Sequence, residues 1–313
     1  MSNESGAGRL AFPAMLVGSA ALAFGPWMVR LADAAPIASA FWRLTLALPI
    51  LAAMAVLKRQ GADDAPEAGV RPARIGHGAL AALAMAGLAF AADLAFWHIG
   101  ILQTTLANAV LIGNSASFMF AAWGFIAART LPGRTASGAI LLALAGMVLL
   151  MGRSYELSPQ HLGGDLLCLT AAVFYALYLV LIGRARTGIR PLPALALSTA
   201  AGAAGLLAFI LATGAPLLPG HWWPLIILAL SSQLLGQGLI VYALGHLSPL
   251  VAGLCLLIQP VIAATIGAMA YGEMPGGVEL VGAVMIATAL ILVRLPGRRG
   301  SNRAGDRLSN AQE

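Results

Sequence analysis

From Pro191 to Val293 the chain reads PLPALALSTAAGAAGLLAFILATGAPLLPGHWWPLIILALSSQLLGQGLIVYALGHLSPLVAGLCLLIQPVIAATIGAMAYGEMPGGVELVGAVMIATALILV. This stretch holds no lysine or arginine, and its only acids are Glu273 and Glu279. A water-soluble domain carries about 25% charged residues, because its surface must be polar. No soluble fold buries this length of chain with two formal charges. In lipid the surface is apolar as well, and helices satisfy their own backbone groups. The stretch therefore reads as a succession of membrane-spanning helices.

The rest of the chain agrees. Its 313 residues are 60% hydrophobic and 10% charged, with a mean hydropathy of +0.87. A helix crossing about 30 Å of hydrocarbon needs roughly 20 residues. Apolar runs of that order fall at 11–29, 37–57, 76–100, 104–128, 135–151, 162–183, 193–213, 222–245, 248–271 and 276–293. The predicted fold class is an all-α integral membrane protein with ten transmembrane helices. The joints at Gln103 and at Leu247-Ser248 are read as tight turns, with Thr104 or Ser248 as N-cap. Cys168 and Cys255 both lie in apolar runs and read as packing residues, not as a disulfide or metal pair. The high pI of about 10.0 comes without a basic face, so nucleic acid is not a partner.

The first run has a second reading as a signal peptide, with Arg9 before it and Ala32-Asp33-Ala34 as a small-residue cleavage site. Its apolar core is long for that, and the repeat below needs this helix. Orientation follows from the basic residues. With ten helices, 15 of the 18 fall on one side: Arg9, the cluster Lys58 to Arg74, Arg129 and Arg134, Arg184 to Arg190, and Arg294 to Arg307. Arg30 and Arg153 fall opposite, and Arg43 lies inside a run. The termini are expected in the cytoplasm and the protein in the inner (plasma) membrane.

Sliding the first half onto the second by 144 positions brings Thr104 onto Ser248, Leu106 onto Leu250, Gly138 onto Gly282 and Ala143 onto Ala287. The turn Arg129–Gly133 falls on Glu273–Gly277, and at another offset Ala21–Phe24 falls on Ala171–Phe174. Five helices per half is an odd number, so the second copy is inverted in the membrane. Such inverted repeats typify secondary transporters, with the substrate site between the halves. The organisation expected is a first five-helix repeat over 1–152, a second over 153–296, and a flexible basic cytoplasmic tail at 297–313.

Several of these patterns resemble a known family. Ala20-Ala21-Leu22-Ala23-Phe24-Gly25-Pro26-Trp27 with Arg30 resembles the opening helix of the EamA-type drug/metabolite transporter superfamily. Ala40-Phe41-Trp42-Arg43-Leu44 resembles its second helix, Ala252 to Pro260 its ninth, and Tyr271-Gly272-Glu273 the end of that helix. The resemblance spans about residues 11–293. It implies two EamA-like five-helix repeats and transport of small molecules.

Polar groups inside a membrane are costly and mark candidate function. Asp93 is the one acid in the middle of an apolar run. A carboxyl in low dielectric favours its neutral form, which suits a proton carrier. The other reading pairs it structurally with Arg43 or an asparagine. Trp97, at i+4, and His98 share its neighbourhood. Arg43 reads as structural or gating, with substrate contact as the alternative. Asn108 and Asn114 form one polar stretch with Ser115 and Ser117; Gln237, Tyr242 and Gln259 form another with Gln233. The 144-position shift sets Asp93 against Gln237, His98 against Tyr242 and Ser115 against Gln259, as two walls of one cavity would require. Trp27, Trp97, Tyr175 and Tyr178 offer faces for a planar or cationic solute, whereas Trp222 and Trp223 read as interfacial anchors. Pro26, Pro49 and Pro260 permit kinks that serve gating. Gly138, Ala139 and Ala143, with Gly282, Ala283 and Ala287, predict close contact between the fifth and tenth helices.

The function expected is secondary export of a small metabolite, amino acid or drug by alternating access. No P-loop or cofactor motif is present, so no cofactor is expected; energy comes from a proton or the solute gradient. The competing classes are a non-transporting sensor and an intramembrane enzyme, the latter on Ser115 with His98. That spacing fits no hydrolase motif. The basic tail is a candidate contact for anionic lipid.

Overall fold

The structure is a computed structural model that describes residues 6–63, 76–151, 159–271 and 276–294. Arg153, most of the expected loop at 58–74, the Gly272-Glu273 helix end and the tail at 297–313 lie outside the described residues. Among the described residues there is no β-strand. The helices are α1 (Gly6–Leu22), α2 (Gly25–Leu31), α3 (Pro36–Asp63), α4 (His77–Gly100), α5 (Leu106–Gly113), α6 (Ser115–Ala128), α7 (Arg134–Met151), α8 (Leu162–Ala185) and α9 (Pro191–Thr213). They continue with α10 (Trp223–Leu228), a π-helical segment (Ala229–Gln237), α11 (Gly238–Leu244), α12 (Pro249–Leu256), α13 (Ile258–Tyr271) and α14 (Gly277–Arg294).

All ten apolar runs form helix. Among the described residues, seven helical stretches are long and apolar enough to cross a membrane, and three shorter apolar ones cover Arg134–Leu150, Pro249–Ala263 and Gly277–Val293. Outward-facing Leu141, Leu211, Val284 and Ile291 are each more than half exposed. An apolar exterior of this kind is stable only in lipid, and the chain is a multi-pass membrane protein.

Four of the runs are interrupted, and the sequence explains three of the interruptions. Pro26 has no N–H to give the carbonyl of Leu22, the last residue of α1, and Pro260 has none for Leu256, the last residue of α12. Both helices break at that turn and resume as α2 and α13. At Asn114 there is no proline. Its side-chain Nδ2 instead donates to Val110 O at 2.8 Å, sharing that acceptor with its own backbone N–H. Such local bonding competes with helix propagation, and Ser117 N closes a tighter turn onto Asn114 O. The fourth interruption is the nine-residue π segment, which carries Gln233 and Gln237; nothing in its sequence accounts for it. Pro49 leaves α3 continuous.

The N-cap of α5 is Thr105, whose side chain accepts from Asn108 N; Thr104, the residue favoured by sequence, bonds elsewhere. Ser248 caps α12 as expected. This one-residue difference carries along the chain. Helix α5 begins at Leu106 and α12 at Pro249, α6 at Ser115 and α13 at Ile258, α7 at Arg134 and α14 at Gly277, each pair displaced by 143 (249 − 106). The displacement of 144 drawn from the letters is therefore one too many beyond the turn, and Ala116, not Ser115, takes the place of Gln259.

Packing is densest where α4 lies between α8 and α9, and where α7 meets α14. Glycine makes the second contact possible. A Cβ on Gly146 would come within 2.8 Å of Gly282 O, so these backbones touch. The small surface on α7 differs in detail from the one read in the sequence: Ala139 and Ala143 are fully buried, but Gly138 has nothing within 4 Å of a Cβ position, and Ala287 faces outward.

Candidate functional site

The interruptions converge. A cavity of about 100 Å³ is lined by Leu22, Ala23, Gly25 and Pro26 from the α1–α2 break, and by Gly113 and Asn114 from the α5–α6 break. Gln237 at the end of the π segment and Gln259 just after the α12–α13 break complete that part of its wall. Helices α3, α4 and α8 contribute Arg43, Phe90, Asp93, Trp97 and Tyr175. Broken helices leave backbone and side-chain polar groups facing inward at mid-helix, which suits a solute site.

Arg43 is 5% exposed, and its guanidinium carbon lies 5.6 Å from the centroid of the Phe90 ring. Its Nε has no hydrogen-bond partner. Asp93 stands one turn from Phe90 on α4 and senses the Arg43 charge, and Arg43 senses that of Asp93. Among the described residues no ion pair within 4 Å is seen between the two. Phe90 stacks on Tyr178 at 4.6 Å, and Tyr178 on Tyr175 at 5.9 Å. Gln237 links the two tyrosines: its Nε2 donates to Tyr175 Oη at 3.3 Å, and its Oε1 accepts from Tyr178 Oη at 3.4 Å. Tyr175 itself lines the cavity.

Of the residues singled out in the sequence, Pro26, Arg43, Asp93, Trp97, Asn114, Tyr175, Gln237 and Gln259 share this one cavity. Tyr178 is fully buried behind Tyr175. The others lie elsewhere. His98 is completely buried and bonds Ser39 Oγ at 2.7 Å and Pro36 O at 3.2 Å, which fastens the end of α4 to the start of α3. Trp27 packs in a separate cluster with Met28, Leu225 and Leu228. Tyr242 sits against His246, ring centroids 5.1 Å apart. Pro260 is buried at its helix break. Ser115 Oγ and His98 Nε2 are both buried without a partner, so they do not bond each other and form no serine–histidine pair.

Asn108 also lies outside the cavity lining. It belongs to a cluster that sequence reading missed, centred on Asp165 at the first turn of α8, a position at the edge of a span. Asp165 Oδ1 accepts from Thr104 Oγ1 at 2.6 Å, and Asn108 Nδ2 lies 3.1 Å from Oδ1 and 3.2 Å from Oδ2. Beyond the far end of α8, Arg186 donates from Nε to Val241 O at 2.9 Å and from Nη1 to Ile189 O. Burial there lowers the Arg186 guanidinium from its ordinary value, against the raising influence of Tyr242. Arg184 rests 4.7 Å over the Trp123 ring. These contacts fix the ends of α8 so that Tyr175 and Tyr178 meet α4 at a set height.

Residues 162–295 match the EamA-like transporter family. The chain is also 28% identical over 155 residues to a protein of Archaeoglobus fulgidus described as an uncharacterized transporter; the match covers 49% of this chain and 50% of that protein. It thus spans about half the length of the curated relative. A solved crystal structure superposes with a TM-score of 0.70 at 19% identity, over 94% of this chain and 99% of its own. At that identity the likeness is one of fold. The family resemblance carried by the sequence motifs is borne out over the second half of the chain.

Proposed function

We propose that this multi-pass membrane protein, EamA-like over residues 162–295, is a secondary transporter that exports a small metabolite, amino acid or drug by alternating access. The observation that carries the reading is the convergence of three helix breaks and the π segment on one cavity that Arg43, Asp93, Asn114, Gln237 and Gln259 also line. The protein resides in the inner membrane with both termini in the cytoplasm, an orientation that the asymmetry of its basic residues supports.

In this reading 1–152 and 153–296 are five-helix repeats of opposite orientation. Three correspondences support it. The segments α5, α6 and α7 match α12, α13 and α14 in length at the shift of 143. At that same shift buried Ala139, Ala143 and Met147 fall on buried Gly282, Ile286 and Leu290. Helices α3 and α9 both open on proline, and buried Leu44, Ala47 and Leu51 fall on buried Thr199, Gly202 and Leu206. Matched contacts in opposed orientations allow one fold to adopt two shapes, open to either side.

Reconstituted vesicles under an imposed pH gradient, offered amino acids and planar cations, test the function. Ala263→Trp, which fills the cavity from α13, should abolish any flux found. Flux that survives it would place the pathway elsewhere. Tags on the two termini that report opposite membrane faces would overturn the repeat.

A further inference from the structure

We propose that the turn between α6 and α7, together with the end of α8, holds the phosphate headgroup of an anionic membrane lipid. Arg129, Arg134 and Arg184 are its donors, and Trp123 is the platform for Arg184. The inference needs only that the chain spans a membrane and is independent of what it transports.

Helices α5 and α6 run beside α8 in the same direction. Thr104 meets Asp165 at one end, Ala116 packs with Ala172 and Ala176 midway, and Trp123 meets Arg184 at the other end. Trp123 follows Thr104 by 19 residues (123 − 104), as Arg184 follows Asp165 (184 − 165), a rise of about 28 Å at 1.5 Å per residue. The hydrocarbon layer is about 30 Å thick. Trp123 and Arg184 therefore sit where acyl chains give way to headgroups. The turn that follows Ala128 lies just outside them, at headgroup level.

Local preferences oppose both arginines of that turn. Arg129 is held in the left-handed conformation, φ 51° and ψ 40°, at a helix-ending position where glycine is the usual occupant. The shift of 143 sets Gly272 against it in the second half. Arg134 opens α7, where the helix dipole disfavours a cation. Residues that break local rules do so for a gain made elsewhere. That gain is not an internal ion pair: among the described residues neither guanidinium has a hydrogen-bonding or ionic partner. The carboxyl groups whose side chains are described, those of Asp33, Asp93, Asp165 and Glu279, lie in the interior or toward the opposite end. Arg184 is exposed, and its guanidinium rests 4.7 Å over the Trp123 ring. A ring beneath one face leaves the N–H edge open to phosphate oxygens. Arg186 differs, being spent on Val241 O and Ile189 O.

The apolar residues of the turn select a lipid over a soluble anion. Leu131, between the two arginines, is 91% exposed, and Ile126 is 67% exposed. At a bilayer surface such side chains enter the acyl boundary while the charges stay among the phosphates. A soluble phosphate would leave Leu131 in water.

The experiment places the full-length protein in bilayer discs of equal phosphatidylglycerol and phosphatidylcholine, extracts it in mild detergent, and measures the retained lipids by mass spectrometry. Phosphatidylglycerol should be enriched about fivefold or more over its share of the bilayer, the preference that one interfacial arginine confers. Arg184→Gln and Arg129→Gly should each lower the enrichment several-fold. Arg9→Gln, the same loss of charge on α1 at the same end of the bundle, should leave it unchanged. Arg129→Gly also reports on folding. In phosphatidylcholine alone it should melt at or above the wild-type temperature, because glycine suits that backbone. It should nevertheless lose the added stability that phosphatidylglycerol gives the wild type. No enrichment in the wild type overturns the site, as does full enrichment in both Arg184→Gln and Arg129→Gly. Equal losses in all three variants would report net charge alone and overturn it too. Glycerol 3-phosphate raising the melting temperature of the detergent-solubilised protein as much as phosphatidylglycerol does would make this a soluble-phosphate site and defeat the lipid assignment.

Discussion

Asn108 on α5 holds Asp165 on α8 through its amide, Nδ2 lying 3.1 and 3.2 Å from the two carboxylate oxygens, while Thr104 closes the cluster at 2.6 Å. All three side chains are buried. The cluster therefore joins the turn before α5 to the first turn of α8, and α5 carries the Gly113–Asn114 break into the cavity. Asp165→Ala strips two buried donors of their acceptor, at about 1–3 kcal/mol for each group left unsatisfied. The expected result is a clear drop in thermal unfolding temperature in detergent. Asp165→Asn, which still accepts from Thr104, should lose less. Equal stability of Asp165→Ala and wild type would show that the cluster contributes nothing.

The α7–α14 contact separates two glycines that look alike in sequence. A side chain at Gly146 meets Gly282 O at 2.8 Å and the Met285 Cβ at 2.9 Å, whereas one at Gly138 meets nothing within 4 Å. Gly146→Leu should force the helices apart and reduce the yield of folded protein, as overpacking in a close interface does. Gly138→Ala should be neutral or stabilising by up to about 1 kcal/mol from helix propensity. Monodispersity on size exclusion and melting temperature check both, and a harmless Gly146→Leu would refute the contact.

The fold was largely legible because its signal is bulk apolarity: every one of the ten runs forms helix, and Pro26 and Pro260 announce their breaks. What escaped has specific causes. The break at Asn114 depends on a side chain bonding its own helix at Val110, which no breaker residue marks. The π segment at Ala229–Gln237 has no composition of its own. The connection before α5 runs from Ile101 to Thr105, whereas that before α12 runs from Gly245 to Ser248, one residue shorter. A single sliding offset cannot follow that change, so it sets Gly138 where Ala139 belongs. At the site, polar residues in apolar runs were visible as such, but sequence could not tell Asn108, turned toward Asp165, from Asn114, turned toward the cavity. Nor could it separate His98, spent on Ser39, from Asp93, which is unspent.

Gln237 joins Tyr175 and Tyr178 into one rigid wall of three side chains. Gln237→Leu fits the volume but leaves both phenols without their amide partner. A solute contacting Tyr175 would then meet a wall free to rotate. The expected outcome is a KM for transported solute raised several-fold, together with a lower melting temperature from the buried Tyr178 hydroxyl left without its partner. Tyr175→Phe, which keeps the ring and removes the hydroxyl, should raise KM by a similar factor. A normal KM in both variants would remove this wall from the solute pathway.

Asp93 is also the candidate for proton coupling. The titratable or charged groups around it among the described residues are Arg43 on α3 and Cys168, Tyr175 and Tyr178 on α8. Arginine stays protonated across the physiological range, and cysteine and tyrosine give up their protons only in alkali. That leaves the carboxyl as the group among these able to take up a proton on one side and release it on the other. An asparagine in place of the acid keeps the shape and cannot titrate. With Asp93→Asn, accumulation driven by an imposed pH gradient should vanish, while solute counterflow without a gradient continues at a weaker KM. The two readouts separate coupling from binding. Gradient-driven accumulation at wild-type rate in that variant would take Asp93 out of the coupling step, and loss of counterflow together with accumulation would make it a binding residue alone.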